Sequence, residues 1–159
     1  MSRISLYTIA FFAIVIGLYP LVYIVMPADA GLLSTKPPAL LDNTFWMTGL
    51  YLHISFGGLS LLTGWSQFNK KLRARNIGLH RILGYIYGVS VLISGVSAFA
   101  ISFYATGGII SATGFAALAV GWLFTTTMAI IRVRSRSINE HCKWMIRSYC
   151  LAFAAVTLR

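Results

Sequence analysis

Acidic side chains are almost missing from this 159-residue chain: Asp29, Asp42 and Glu140 are all it has, against 13 Lys and Arg. All three fall in loops or at the ends of apolar stretches. No pair of acids is therefore available for glycoside or aspartyl chemistry, and no carboxylate sits mid-membrane to carry protons, which disfavours ion-coupled transport. Cysteine is scarce as well. Cys142 and Cys150 are spaced neither as a redox CxxC nor as metal ligands, so two free thiols are expected. There is no P-loop, HExxH or GxSxG motif, no TVGYG filter, and no pair of interrupted apolar segments of the kind found in transporter repeats.

What the chain does have is apolar length. Hydrophobic residues make up 58% and charged residues 10% of it, and the mean hydropathy is +0.78. About 20 apolar residues cross the hydrocarbon layer as a helix, and 4–26, 45–68, 82–104, 109–131 and 144–158 meet or approach that length. Ser137 and Glu140 have the spacing of a capping box, which would start the last helix earlier, at 138–158. The expected fold is one all-α membrane domain over 1–159 with five spans.

A net charge of +10 would point to nucleic acid in a soluble protein, but here the basic residues flank apolar spans. Anionic lipid headgroups are the better counter-charge, and no nucleic-acid partner is expected. Lys70, Lys71, Arg73, Arg75 and Arg81 precede the third span, and Arg132, Arg134, Arg136 and Lys143 lie between the fourth and fifth. The positive-inside rule makes both loops cytoplasmic, together with the N-terminus, in what is expected to be a bacterial inner membrane. Ala28, Asp29 and Ala30 resemble a signal-peptidase site, but the apolar run before them exceeds the usual 7–15 residues of a secretory signal, so a retained anchor is expected.

Three histidines carry the remaining chemistry. His53 is followed at helical spacing by Gly57, Ser60 and Gly64, and His80 by Gly84, Gly88 and Gly95. Such small-residue faces serve close helix packing, with Gly114 and Gly121 as a matching surface. They would also let a flat cofactor approach a histidine. His80 and His141 fall at the same level near the cytoplasmic ends of their helices, whereas His53 lies about 12 Å into a span that enters from the opposite side. If a metal centre exists, His80 and His141 are its ligands, as the two axial imidazoles of a haem b. Gly84 and Gly88 would lie against that haem, and Arg81, Lys143 and Arg147 would stand near its propionates. His53 is a packing residue, or a ligand at a second site. Its candidate partners are Tyr51, Ser55, the threonines from Thr125 to Thr127, or a methionine. Arg147 is expected to snorkel to the interface.

The segments HISFGG from His53, LTGWSQF from Leu62, LHRILGYIY from Leu79 and HCKWMIRSY from His141, continuing to Arg159, resemble the predicted membrane proteins grouped as domain of unknown function 2306. The resemblance runs from about His53 onward and is most specific in HRxxG and WMxRSY. It implies a multi-pass bundle with three histidines at His53, His80 and His141, and it implies no established reaction. Family members continue past the segment matching 154–159, where a further helix would offer His53 a partner. Two readings stay open. One is a small haem-binding electron-transfer module working with a quinone or a reductase. The other is a non-catalytic accessory or assembly subunit of a larger membrane complex.

Overall fold

The computed structural model describes residues 3–25 and 33–154. The signal-peptidase-like segment at Ala28 and residues 155–159, which include the end of the expected fifth span at 158, lie outside the described residues. Helices account for nearly all of the rest, with no strand among the described residues. They are α1 (Arg3–Leu18), α2 (Val22–Val25), α3 (Pro38–Leu41), α4 (Thr44–Gly64), α5 (Lys70–Arg75), α6 (Ile77–Ser102), α7 (Gly108–Arg134) and α8 (Ile138–Ala152).

The helix ends have local causes. Pro20 lacks an N–H and crowds the preceding turn, and the chain tightens into a 3-10 turn over Tyr19–Leu21 before α2. Asn43, Asn69 and Asn76 each turn a side-chain oxygen onto backbone N–H groups of the first turn of α4, α5 and α6. These caps place the start of α6 five residues ahead of the expected boundary at 82. They also make a short basic helix, α5, out of what read as a loop. Between α6 and α7, Gly107 and Gly108 take φ of 111° and 72°, a conformation that side chains resist.

Four helical segments are long and apolar enough to span a bilayer among the described residues: Ile4–Leu21, Thr44–Phe68, Ile77–Ser102 and Gly108–Arg134. The expected fifth, 138–158, runs past the described residues, and α8 is the part of it in view. α8 has 15 residues, about 22 Å of helix, and its first ten carry Asn139, Glu140, His141, Lys143 and Arg147. Ser137 does stand at its N-cap, but the side chain makes no cap bond, and Glu140 pairs with Lys143 instead at 2.7 Å. The capping box is therefore absent.

Burial runs opposite to that of a water-soluble domain. Large apolar side chains such as Phe11, Ile82, Val89, Leu92 and Ile110 face outward, while Ser60, Ser90, Ser94 and Ser148 are among the most buried residues. Lipid favours this arrangement, since it solvates the apolar exterior while interior hydroxyls find partners within the bundle. The most extensive helix pairing is α4 with α6, followed by α7 with α8 and α6 with α7. α1 packs on α4 where Gly17 and Gly58 meet: a Cβ on Gly58 would lie 2.5 Å from the Gly17 carbonyl oxygen. Gly114 does not supply the expected matching surface, having nothing within 4 Å of its Cβ position, whereas Gly121 faces Leu151.

Helix order brings α5 and the starts of α6 and α8 to the same end of the bundle as the end of α7. Ten of the 13 Lys and Arg residues, from Lys70 to Arg147, belong to this end. At the other end Lys36 donates to Thr106 Oγ1 at 2.6 Å and lies 5.9 Å over the Trp46 ring.

Candidate functional site

Each histidine is placed differently. His141, on the first turn of α8, has Nδ1 2.9 Å from the Ala129 carbonyl oxygen of α7. A carbonyl only accepts, so Nδ1 carries a proton, and the neutral tautomer compatible with this bond has its lone pair on Nε2. This is how metal-ligating histidines are commonly oriented by a second partner. His80, on the first turn of α6, is half-buried, and its Nδ1 is buried with no hydrogen-bond partner among the described residues. Its ring lies in the electrostatic field of Arg73, His141 and Arg81.

His53 belongs elsewhere. Ser94 Oγ donates to the His53 carbonyl at 2.9 Å, and His53 Nδ1 lies 3.2 Å from the Ser94 carbonyl and 3.0 Å from Ser94 Oγ. The one hydroxyl proton is already committed, so Nδ1 must be the donor to Ser94. The result is a two-way clasp between α4 and α6. Gly57 makes room for it, since a Cβ there would meet Ser94 Oγ at 3.2 Å. Ser94 is fourteen residues past His80 on α6, about 21 Å along the axis, which separates His53 from the other two rings. In this clasp the partner is Ser94, a serine 41 residues away that helical spacing around His53 did not offer.

The other residues singled out by sequence are spread over the basic end. Arg81 is exposed. Arg147 is exposed and stacks 4.3 Å over Trp144. Lys143 is bound to Glu140 and holds that carboxyl below the usual carboxylate range. Gly84 faces Gln67 Oε1 and Gly88 faces Ile130 Cδ1, each at 3.5 Å from the glycine's Cβ position, so protein side chains lie against both. Two surface depressions, one at Ser111, Gly114 and Leu118 on α7 and one at Lys36, Asn43 and Tyr104, touch none of the histidines. No three His, Cys, Asp or Glu side chains among the described residues are grouped to hold a metal ion. A haem iron asks for only two.

Sequence reasoning missed the polar ring at the heart of the bundle. Trp122 Nε1 donates to Tyr87 OH at 3.5 Å, Tyr87 OH and Ser148 Oγ are 2.6 Å apart, Ser148 and Thr126 hydroxyls are 2.7 Å apart, and Thr126 donates to the Trp122 carbonyl at 2.8 Å. With the Thr126 proton on that carbonyl, Ser148 must donate to Thr126 and Tyr87 to Ser148. The circuit starts and ends at Trp122. It ties α6, α7 and α8 together and leaves no open end along which a proton would leave. Tyr149 adds a bond from its hydroxyl to the Leu61 carbonyl at 3.2 Å, which links α8 to α4.

With this geometry in view, the family comparison is decisive for class. Residues 50–159 match the family described as predicted membrane protein, domain of unknown function 2306. The chain belongs to that family. The matched span includes all three histidines, the Ser94 clasp and the whole Trp122 circuit. No curated protein and no solved structure matches the chain.

Proposed function

We propose that this family member is a small membrane electron carrier whose basic end holds a b-type haem between His80 and His141. The observation that carries the reading is the condition of the two rings. The Ala129 carbonyl accepts the His141 Nδ1 proton and leaves Nε2 as a ready ligand, while His80 keeps a buried nitrogen without a partner among the described residues, an arrangement that costs about 1–3 kcal/mol unless something pairs with it. Two imidazoles from different helices suit both axial positions of a haem that transfers single electrons. Arg81, Lys143 and Arg147 supply cations for its propionates, and the Gln67 and Ile130 side-chain ends against Gly84 and Gly88 would swing aside to admit it. A quinone or a reductase in the same membrane would exchange electrons with it. The basic end is taken as cytoplasmic in a bacterial plasma membrane.

The test is an absorption spectrum of the detergent-solubilised protein, expressed with ample haem, before and after dithionite. A sharp Soret band with resolved α and β bands on reduction is expected from a low-spin bis-histidine iron. A colourless protein would overturn the proposal. A second reading, an accessory or assembly subunit of a larger membrane complex, is favoured by the glycine faces, which are filled by protein: Gly57 by Ser94, Gly64 by Tyr149 and Tyr87, and Gly95 by Leu123. Co-purification with a larger complex by a colourless protein would support it.

A further inference from the structure

The turn between α7 and α8 keeps a charged side chain at a position where the backbone favours glycine. The Ser137 N–H bonds to the Arg132 carbonyl at 2.9 Å and the Arg136 N–H to the Val133 carbonyl at 3.1 Å, the pattern that closes a helix on a left-handed residue. That residue is Arg136, at φ 59°, and no other non-glycine among the described residues has positive φ. Glycine is usual there because a Cβ crowds the neighbouring carbonyl. A side chain retained against that preference suggests a use for its charge.

Two further observations point to the same partner. Arg132, on the last turn of α7, has a buried Nε with no hydrogen-bond partner among the described residues. The Lys143–Glu140 pair is the one salt bridge among the described residues, and although Glu140 also feels the Arg132 charge, that one carboxylate is bound to Lys143 and leaves the three cations of Arg132, Arg134 and Arg136 in excess. Depth identifies the occupant. The 27 residues of α7 run about 40 Å, roughly 10 Å more than the hydrocarbon layer, which brings these three arginines to the level of the lipid phosphates.

We infer that the 132–137 turn binds the phosphodiester of an anionic phospholipid headgroup through Arg132, Arg134 and Arg136. A zwitterionic headgroup carries its own cation and competes poorly for this cluster. Free phosphate offers the same oxygens without acyl chains to hold it at this depth. The inference does not depend on the haem reading, since neither His80 nor His141 takes part.

The experiment titrates the purified full chain, in detergent micelles, with phosphatidylglycerol, phosphatidylcholine or inorganic phosphate, and reads the melting temperature and the apparent Kd. Phosphatidylglycerol alone should raise the melting temperature. Arg136→Gly should fold, melt about 2–4 °C higher than wild type without lipid, and bind phosphatidylglycerol about five-fold more weakly, as expected for one cation near an anionic surface. Arg132→Gln should weaken binding similarly. Equal stabilisation by phosphatidylcholine would overturn the charge selectivity, and full stabilisation by inorganic phosphate would overturn the lipid as the source. Unchanged phosphatidylglycerol affinity in Arg136→Gly would remove the role given to the left-handed arginine.

Discussion

Replacing Ser148 by alanine tests the directional circuit around Trp122. Ser148 is fully buried, and its hydroxyl accepts from Tyr87 at 2.6 Å and donates to Thr126 at 2.7 Å. Alanine removes both bonds and leaves the Tyr87 hydroxyl proton without an acceptor. An unsatisfied buried donor costs about 1–3 kcal/mol, but hydrogen bonds between membrane helices average about 0.6 and reach about 1.7 kcal/mol. A destabilisation of about 1–2 kcal/mol follows, which for a chain of this size lowers the melting temperature by roughly 2–8 °C. Tyr87→Phe should cost less, because Ser148 still donates to Thr126 and only the long 3.5 Å bond from Trp122 is orphaned. The double variant is the sharper test. Once the tyrosine hydroxyl is gone, Ser148→Ala no longer strands a donor, so the pair should cost clearly less than the sum of the singles. The assay is a double-mutant cycle by thermal or denaturant unfolding in detergent. Strict additivity, within about 0.3 kcal/mol, would refute the closed circuit.

Other substitutions separate packing from open surface. Gly64→Ala should be strongly destabilising, by about 1–3 kcal/mol, because its Cβ would fall onto the Tyr149 ring and 2.9 Å from Tyr87 Cε2; Gly114→Ala, with nothing within 4 Å, should leave the melting temperature unchanged or slightly raised. Ser94→Ala should loosen α4 from α6 by about 0.6–1.7 kcal/mol, read as a lower melting temperature with helicity retained by circular dichroism. Glu140 is held below the ordinary carboxylate pKa by its hydrogen bond to Lys143. Its contribution to stability is therefore present above the ordinary carboxylate pKa and lost as pH falls through the lowered one. Glu140→Gln should melt slightly below wild type at pH 7 in low salt, and the gap should close both in acid and in high salt. Single cysteines at Ser34 and Asn76, in a background without Cys142 and Cys150, should label from opposite sides of the membrane; labelling from one side would overturn the topology.

The architecture was legible because hydrophobic length is a property of single segments. Helix boundaries were partly legible: Asn43, Asn69 and Asn76 stand one residue ahead of their helices and would have signalled the starts of α4, α5 and α6. The reading of 138–158 as a span rests on its apolar end, of which 155–158 lie outside the described residues, while α8 shows its polar beginning. Long-range polar pairs were not legible at all. Nothing local distinguishes Ser94 from other helix serines, and Tyr87 and Ser148 are 61 residues apart. The level of His80 and His141 at one end followed from helix direction, but the bond that orients His141 comes from Ala129 on α7 through its backbone, which no sequence pattern announces.

The most direct test of the haem reading is the reduced-minus-oxidised spectrum of four proteins, wild type, His80→Ala, His141→Ala and His53→Ala, purified after expression with ample haem. Wild type should show the sharp Soret, α and β bands of a low-spin bis-histidine haem; His80→Ala and His141→Ala should each lose them, and His53→Ala, about 21 Å away along α6, should keep most of the signal. Haem absorbance that survives loss of His80 and His141, or disappears with His53 alone, would contradict the assignment.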